Sequence, residues 1–199
     1  MVAVVCLGRR RRQGSELECA AGAMPEQGDL ILGGAALAGM FRSMGEEEAM
    51  EILERATDLG ITDIDTAPHY GLGISEERIG KFLKTIPQEM KVNVWTKVGR
   101  LIREKDEVGR SVDPATVQWD NVAGASDCIF KECHPGRVPV LDYTSSGAVT
   151  SFGESEERIG RGRIVGLRVH DCESKETMDR SLAADGALFG LLALKRLNK

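Results

Sequence analysis

Residues 61–84 read ITDIDTAPHYGLGISEERIGKFLK. ITDID (61–65) reads as a strand, and SEERIGKFLK (75–84) as a helix whose first turn Ser75 is able to cap. The loop between them holds Tyr70, five residues after Asp65 and one of only two tyrosines in the chain. A turn needs no tyrosine at that point. A proton-transfer site has a use for one.

The same alternation continues on both sides of this unit. LILGGAAL (30–37) is a short apolar run and reads as a buried strand. GEEEAMEILERATDLG (45–60) reads as a helix: Met50, Ile52, Leu53, Ala56 and Leu59 recur at spacings near three and four. Its first turn is acidic, and Gly60 stands where a C-terminal cap belongs. KVNVWTK (91–97) is a third strand, rich in β-formers, and RIVGLRVH (163–170) a fourth. GAVTSFGESEERIG (147–160) reads as a helix that Gly153 weakens. A fourth helix spans 174–197, with Leu188, Leu191, Leu192, Leu194 and Leu197 on one side and Gly186 and Gly190 as weak points.

Two stretches fall outside the rhythm. Residues 1–28 read as a poorly ordered N-terminal tail, which leaves 29–199 as the folded part. Residues 99–142 mix Gly, Pro, Asp and scattered apolar residues, the pattern of a long irregular loop. The string SEERIG occurs at both 75–80 and 155–160. That separation is far beyond solenoid repeat periods, so it reads as coincidence or as an echo of a βα unit.

Four strand–helix alternations imply parallel strands with helices outside, the α/β class. An open doubly wound sheet and a (β/α) barrel are the two architectures open at this point. A dinucleotide-binding doubly wound sheet carries G-x-G-x-x-G after its first strand. LGGAALAGMF places its glycines at 33, 34 and 39, which is the wrong spacing.

At 199 residues the chain has the length of one domain, and 42% hydrophobic with 29% charged residues suits a globular protein. A net charge of −5 argues against nucleic acid as the main partner. The basic run Arg9–Arg12 reads as part of a solvated tail. Nothing approaches the ~20 apolar residues of a membrane span. MVAVVCLG is short and followed by its charges, the wrong order for a secretory signal, and Glu16 and Glu18 fit a transit peptide poorly. Five cysteines, odd in number and irregular in spacing, indicate free thiols in a reducing, cytoplasmic setting. Cys128, Cys133 and His134 invite a zinc reading but lack a matching second pair, so they read as a loop accident.

In parallel α/β folds the active site is built at the carboxyl ends of the strands. After the second strand come Asp65 and Tyr70; the third ends at Lys97, the fourth at His170. A phenol with a pKa near 10 is a poor acid at neutral pH, and a nearby ammonium favours its ionised form. Lys97 beside Tyr70 makes the tyrosine a better proton donor, Asp65 holds Lys97 charged, and His170 orients a substrate carbonyl. Each residue alone has an ordinary structural explanation: a loop cap, a packing residue, a solvated strand end, a satisfied loop histidine. Four suitable residues on three strand ends point to carbonyl reduction or its reverse, with a cofactor supplying hydride. His69 and Asp171 flank the set and have no role beyond loop structure.

These residues sit in a stretch, DTAPHYGLGISEERIGKFL, that resembles the signature of the aldo-keto reductase family. LGGAALAGMF, VWTKVGRL and LDYTSSGAVTSFGESEERIGRGRIVGLRVHD are similar to its sugar-oxidising branch, the D-threo-aldose (fucose) and L-galactose dehydrogenases. The resemblance runs from about residue 30 to 195, with a gap near 105–138. It implies a TIM barrel, NADP or NAD bound without a Rossmann motif, and a sugar or aldehyde substrate. It also implies a catalytic tetrad: Tyr70 as proton donor or acceptor, Asp65 and Lys97 as its activating pair, His170 as the substrate-orienting residue.

The resemblance covers the N-terminal half only. A full (β/α)8 barrel takes roughly 200–250 residues, and four βα units make about half of one. The family's dinucleotide site lies chiefly in the second half, which nothing in this chain matches. RSVDPATVQWDNVAGASDCIFKECHPG, after the third strand, is unlike the family. A partial barrel exposes two strand edges and its barrel-facing surface, which predicts self-association. A non-catalytic remnant or interaction module, and a truncated gene product, therefore stand beside the enzymatic expectation.

Overall fold

A computed structural model describes residues 4–6 and 30–197. The expected disordered tail over 1–28 lies outside these residues, except for the short strand β1 (Val4–Cys6). The folded part alternates as the sequence predicts. β2 (Ile31–Gly33) leads through a short turn to α1 (Glu46–Asp58); then come β3 (Asp63–Asp65), α2 (Ile74–Thr85) and β4 (Asn93–Val98). β5 (Arg100–Glu104) and β6 (Arg137–Leu141) follow, then α3 (Ser145–Ile159), β7 (Ile164–Val169), α4 (Lys175–Leu182) and α5 (Ala187–Leu197).

The main sheet has the order β1-β7-β4-β3-β2. β2, β3, β4 and β7 run parallel, and β1 lies antiparallel along β7. Four parallel strands with helices on one side form part of a (β/α)8 barrel, and the register sorts their side chains into two faces. Ile64, Val94, Val98, Leu167 and Val169 point outward into the core shared with the helices, where Leu53, Phe82, Ile159 and Leu191 are fully or almost fully buried. Asp63, Asp65, Asn93, Trp95, Lys97 and Arg168 occupy the barrel-facing side.

The end of α1 shows how local chemistry fixes an element. Gly60 takes a left-handed φ of 81°. Its N–H bonds Thr57 O at 2.9 Å, and the next N–H, of Ile61, bonds Ala56 O at 2.9 Å. These are the two crossed bonds of a Schellman cap, which satisfy carbonyls that the helix end would leave bare.

Three sequence readings change. Ser75 does not cap α2: the helix begins from Gly73 at φ 99°, and Ser75 is buried one residue inside it. The stretch read as an irregular loop over 99–142 is framed by the antiparallel pair β5–β6, with a small apolar cluster of Leu101, Val117, Val138 and Val140 beneath it. Its strands stand far apart in sequence and are five residues each, too short for periodicity to reveal. The single helix read over 174–197 is two helices. Asp185 turns the chain by pairing with Arg180 at 2.6 Å while its carbonyl accepts from Ser145 N at 2.6 Å. Gly190, read as a weak point, is a contact point: a Cβ there would lie 2.6 Å from Ser145 O, so glycine lets α5 close onto α3.

The repeated SEERIG also acquires a structural meaning. Glu76 of the first copy has no exposed surface, and it accepts from Arg158 Nε of the second copy at 2.7 Å and from Thr96 Oγ1 at 2.6 Å. Gly80 lets the helices approach, because a Cβ on it would sit 1.9 Å from Arg158 O.

Candidate active site

The four residues expected to converge do so. Asp65 ends β3, Lys97 lies near the end of β4, His170 follows β7, and Tyr70 stands in the turn between β3 and α2. That turn is built by its own backbone. Tyr70 N bonds Ala67 O at 3.2 Å, Leu72 N bonds His69 O at 3.1 Å, and Gly73 N bonds Pro68 O at 2.8 Å. Gly71 supplies a φ of 64° at a point where any Cβ would meet Glu132 O at 2.7 Å. Below the turn, Ser75 Oγ lies 2.8 Å from both Thr66 Oγ1 and Gly34 O, pinning α2 to the tips of β3 and β2.

Lys97 is the hub. Its Nζ donates to Asp65 Oδ2 at 3.0 Å, to Thr66 O at 2.9 Å and to Tyr70 Oη at 2.9 Å. An ammonium has three N–H donors, and these contacts use all of them. Because Tyr70 Oη accepts from Lys97, the phenolic hydrogen is free to point away from the lysine. A full positive charge thus sits against the oxygen that must carry negative charge when that proton leaves.

The His170 ring stands edge-on to the Tyr70 ring, centroids 5.9 Å apart. It is 5% exposed, and its Nδ1 has no protein partner. Burial pushes the imidazole well below its ordinary range, with the charges of Arg100 and Lys97 and the neighbouring His69 acting in the same direction. His170 is therefore neutral near pH 7, with one ring nitrogen able to donate and the other able to accept.

Sequence reasoning missed the groups that hold His170. Tyr143 Oη donates to His170 O at 2.8 Å, and Gly99, at φ 106°, leaves room for the Tyr143 ring. Asp171, assigned only to loop structure, takes φ 43° and pairs with Arg100 at 2.8 Å. His69, also assigned to the loop, packs its ring 5.8 Å from His170, and burial pushes it down to about 3. The segment unlike the family contributes Phe130, whose ring lies 5.5 Å from Tyr70 and 5.8 Å from His69. Backbone bonds fasten that segment to the rim: Phe41 N to Ile129 O at 2.8 Å, Lys131 N to Gly39 O at 2.9 Å and His134 N to Gly71 O at 3.1 Å. Cys128 Sγ donates to Phe130 O at 3.5 Å, and burial, then Cys128, raises the Cys133 thiol to about 12. Beside the tetrad opens a cleft of about 380 Å³, lined in part by Lys97, Arg168, His170, Asp171 and Met178.

Residues 29–180 match the Aldo/keto reductase family. The chain is 40% identical over 152 residues to a D-threo-aldose 1-dehydrogenase of a Pseudomonas species, covering 76% of this chain and 42% of that protein. It is 34% identical to a pyridoxal 4-dehydrogenase of Microbacterium luteolum over 76% of this chain and 42% of the relative. It is 29% identical to an L-galactose dehydrogenase of Arabidopsis thaliana over 68% and 42%. A solved structure described as an aldo-keto reductase from Pseudomonas aeruginosa superposes with a TM-score of 0.51 at 25% identity, covering 84% of this chain and 49% of its own. The chain thus spans about two fifths of the length of the curated relatives it matches.

Proposed function

The chain belongs to the aldo/keto reductase family, and from that premise we propose that it serves NAD(P)-dependent oxidation of an aldose, or reduction of an aldehyde or ketone, with Tyr70 as proton donor and acceptor. The observation that carries this reading is the Lys97 ammonium, which spends its three donors on Asp65, Thr66 O and Tyr70 Oη. In the oxidative direction Tyr70 Oη receives the hydroxyl proton of the substrate; in reduction it returns one to the carbonyl oxygen. Neutral His170 donates a hydrogen bond to that oxygen and sets its orientation. The names of the relatives, two of them sugar dehydrogenases, support the substrate class. Free Cys128, Cys133 and Cys172 support a cytoplasmic setting. No helix among the described residues is long and apolar enough to cross a membrane.

A nicotinamide, when bound, supplies the hydride. The glycines just after β2 form no cradle for the rest of a dinucleotide. Among the glycines after β2, Gly34 is closed by Asp65 O and Ser75 Oγ at 2.8 and 3.0 Å from a Cβ position, and Gly39 by Glu132 at 2.9 Å. These glycines accommodate the chain's own packing and leave no cradle for a diphosphate. The residues present account for the proton half of the reaction alone.

Purified chain is titrated with NADPH while cofactor fluorescence is followed, and aldose oxidation is assayed with NADP and NAD. In a barrel restored to full length, turnover that Tyr70→Phe lowers by orders of magnitude, with cofactor affinity nearly unchanged, supports the reading. Unchanged turnover in the variant removes Tyr70 from the mechanism. A second reading is self-association through the partial barrel's edges. It draws on β2, whose outer edge pairs with no strand among the described residues. Size-exclusion chromatography decides it, a monomer at high concentration excluding it.

A further inference from the structure

The barrel-facing side of the sheet carries polar groups where a parallel barrel normally holds apolar layers. Asp63 Oδ1 accepts from Asn93 Nδ2 and Trp95 Nε1, both at 3.2 Å. Those three satisfy one another. Arg168 is different. It precedes His170 by two residues and shares the face of Lys97, its register partner on β4. Its Nη1 pairs with Asp65 Oδ1, while Lys97 holds Asp65 Oδ2 at 3.0 Å. The guanidinium lies over the Trp95 ring, 5.6 Å from its centroid, and it lines the same cleft as Lys97 and His170.

Asp65 therefore serves two cations, one on each oxygen. With Lys97 alone, the pair would carry no net charge. With Arg168 added, the cluster carries one net positive charge beside the Tyr70 oxygen. The carboxylate is also held from both sides, so it cannot swing toward the phenol and oppose the charge that develops there.

We infer that Arg168 is a positioning residue acting through Asp65: it anchors the carboxylate opposite Lys97 and keeps the cluster cationic, favouring negative charge on the Tyr70 oxygen. This rests on the reading of Tyr70 as the proton-transfer residue. A guanidinium placed only to pack against Trp95 would contribute surface, not charge, and the two roles respond oppositely to substitution. Arg168→Lys keeps the charge and loses the flat stacking surface. Arg168→Met keeps apolar length and loses the charge.

The test uses the chain as it is and needs no turnover. Tetranitromethane attacks tyrosine in its ionised form, and mass spectrometry separates Tyr70 from buried Tyr143, whose nitration would report unfolding. Nitration of Tyr70 in Arg168→Met is about fivefold slower than in the parent, and in Arg168→Lys within about twofold of it. The reverse order, or equal rates in all three proteins, overturns the inference. Arg168→Gln, matched to the parent by far-ultraviolet circular dichroism, replaces the methionine variant if that one does not fold. Absence of oxidoreductase turnover would sink the proposed reaction, whereas the nitration rates bear on Arg168 alone.

Discussion

Replacing Gly80 by alanine tests how α2 is seated. Helix propensity favours alanine by up to about 1 kcal/mol. Against that, the new Cβ would lie 1.9 Å from Arg158 O, and the atom it meets is backbone, which cannot rotate aside. Reaching an ordinary contact near 3.4 Å requires α2 to shift by about 1.5 Å from α3. Glu76 lies one turn before Gly80 on the same side of the helix. The same shift stretches its 2.7 Å bond to Arg158, which stands on α3, beyond hydrogen-bond range. Overpacking costs about 1–3 kcal/mol, and weakening the ion pair of the fully buried Glu76 adds to it. The net loss is about 3–5 kcal/mol, a large part of the ~5–15 kcal/mol that holds a domain together. Urea unfolding followed by circular dichroism should show a lower midpoint at unchanged m, with Tm down by roughly 10 °C. A Gly80→Ala protein as stable as the parent, or more stable, would falsify the close α2–α3 contact and leave helix propensity as the deciding term.

Gly153 is the opposite case, exposed within α3 with nothing within 4 Å of a Cβ position. Gly153→Ala should gain about 0.5–1 kcal/mol and raise Tm by a few degrees, read by the same melts. Glu76→Ala should cost about 3–5 kcal/mol, and adding Arg158→Met should recover part of it, because the penalty lies in an unpaired buried charge; additive losses in the double-mutant cycle contradict this. His69 and His170 are both held neutral by burial. Unfolded histidine binds a proton below about 6.5 and the folded rings do not, so stability is full above that pH and falls below it. At pH 5 the His69 contribution to this loss is roughly 2 kcal/mol, and His69→Gln should flatten the pH dependence of urea unfolding between 7 and 5.

The candidate tetrad was legible because it depends on local pattern. A strand ends where its apolar run ends, and in a parallel sheet all such ends lie at one rim. Asp65, Lys97 and His170 were placed by that rule, and Tyr70 by its position in the loop after Asp65. The cap at Gly60 was legible for the same reason, since a Schellman turn is a property of six consecutive residues. Ser75 misled because its residue type suits a cap, while the left-handed glycine at 73, two positions earlier, is what starts the helix.

The groups around the tetrad depend on contacts between distant parts of the chain. Arg100, Phe130 and Tyr143 come from the stretch between Gly99 and Thr144, where β5 and β6 recognise each other only after folding brings them side by side. Arg168 reads as one arginine in a strand until register sets it opposite Lys97. The two SEERIG strings reveal no contact until Gly80 is seen to admit the Arg158 backbone. The amino-acid order by itself determined the alternation of strand and helix and the four residues at the strand tips, because those follow from nearest-neighbour sterics and side-chain periodicity. Tertiary structure alone decided which charge faces which, because an ion pair is set by distance in space, and that distance exists only once the sheet has fixed its register.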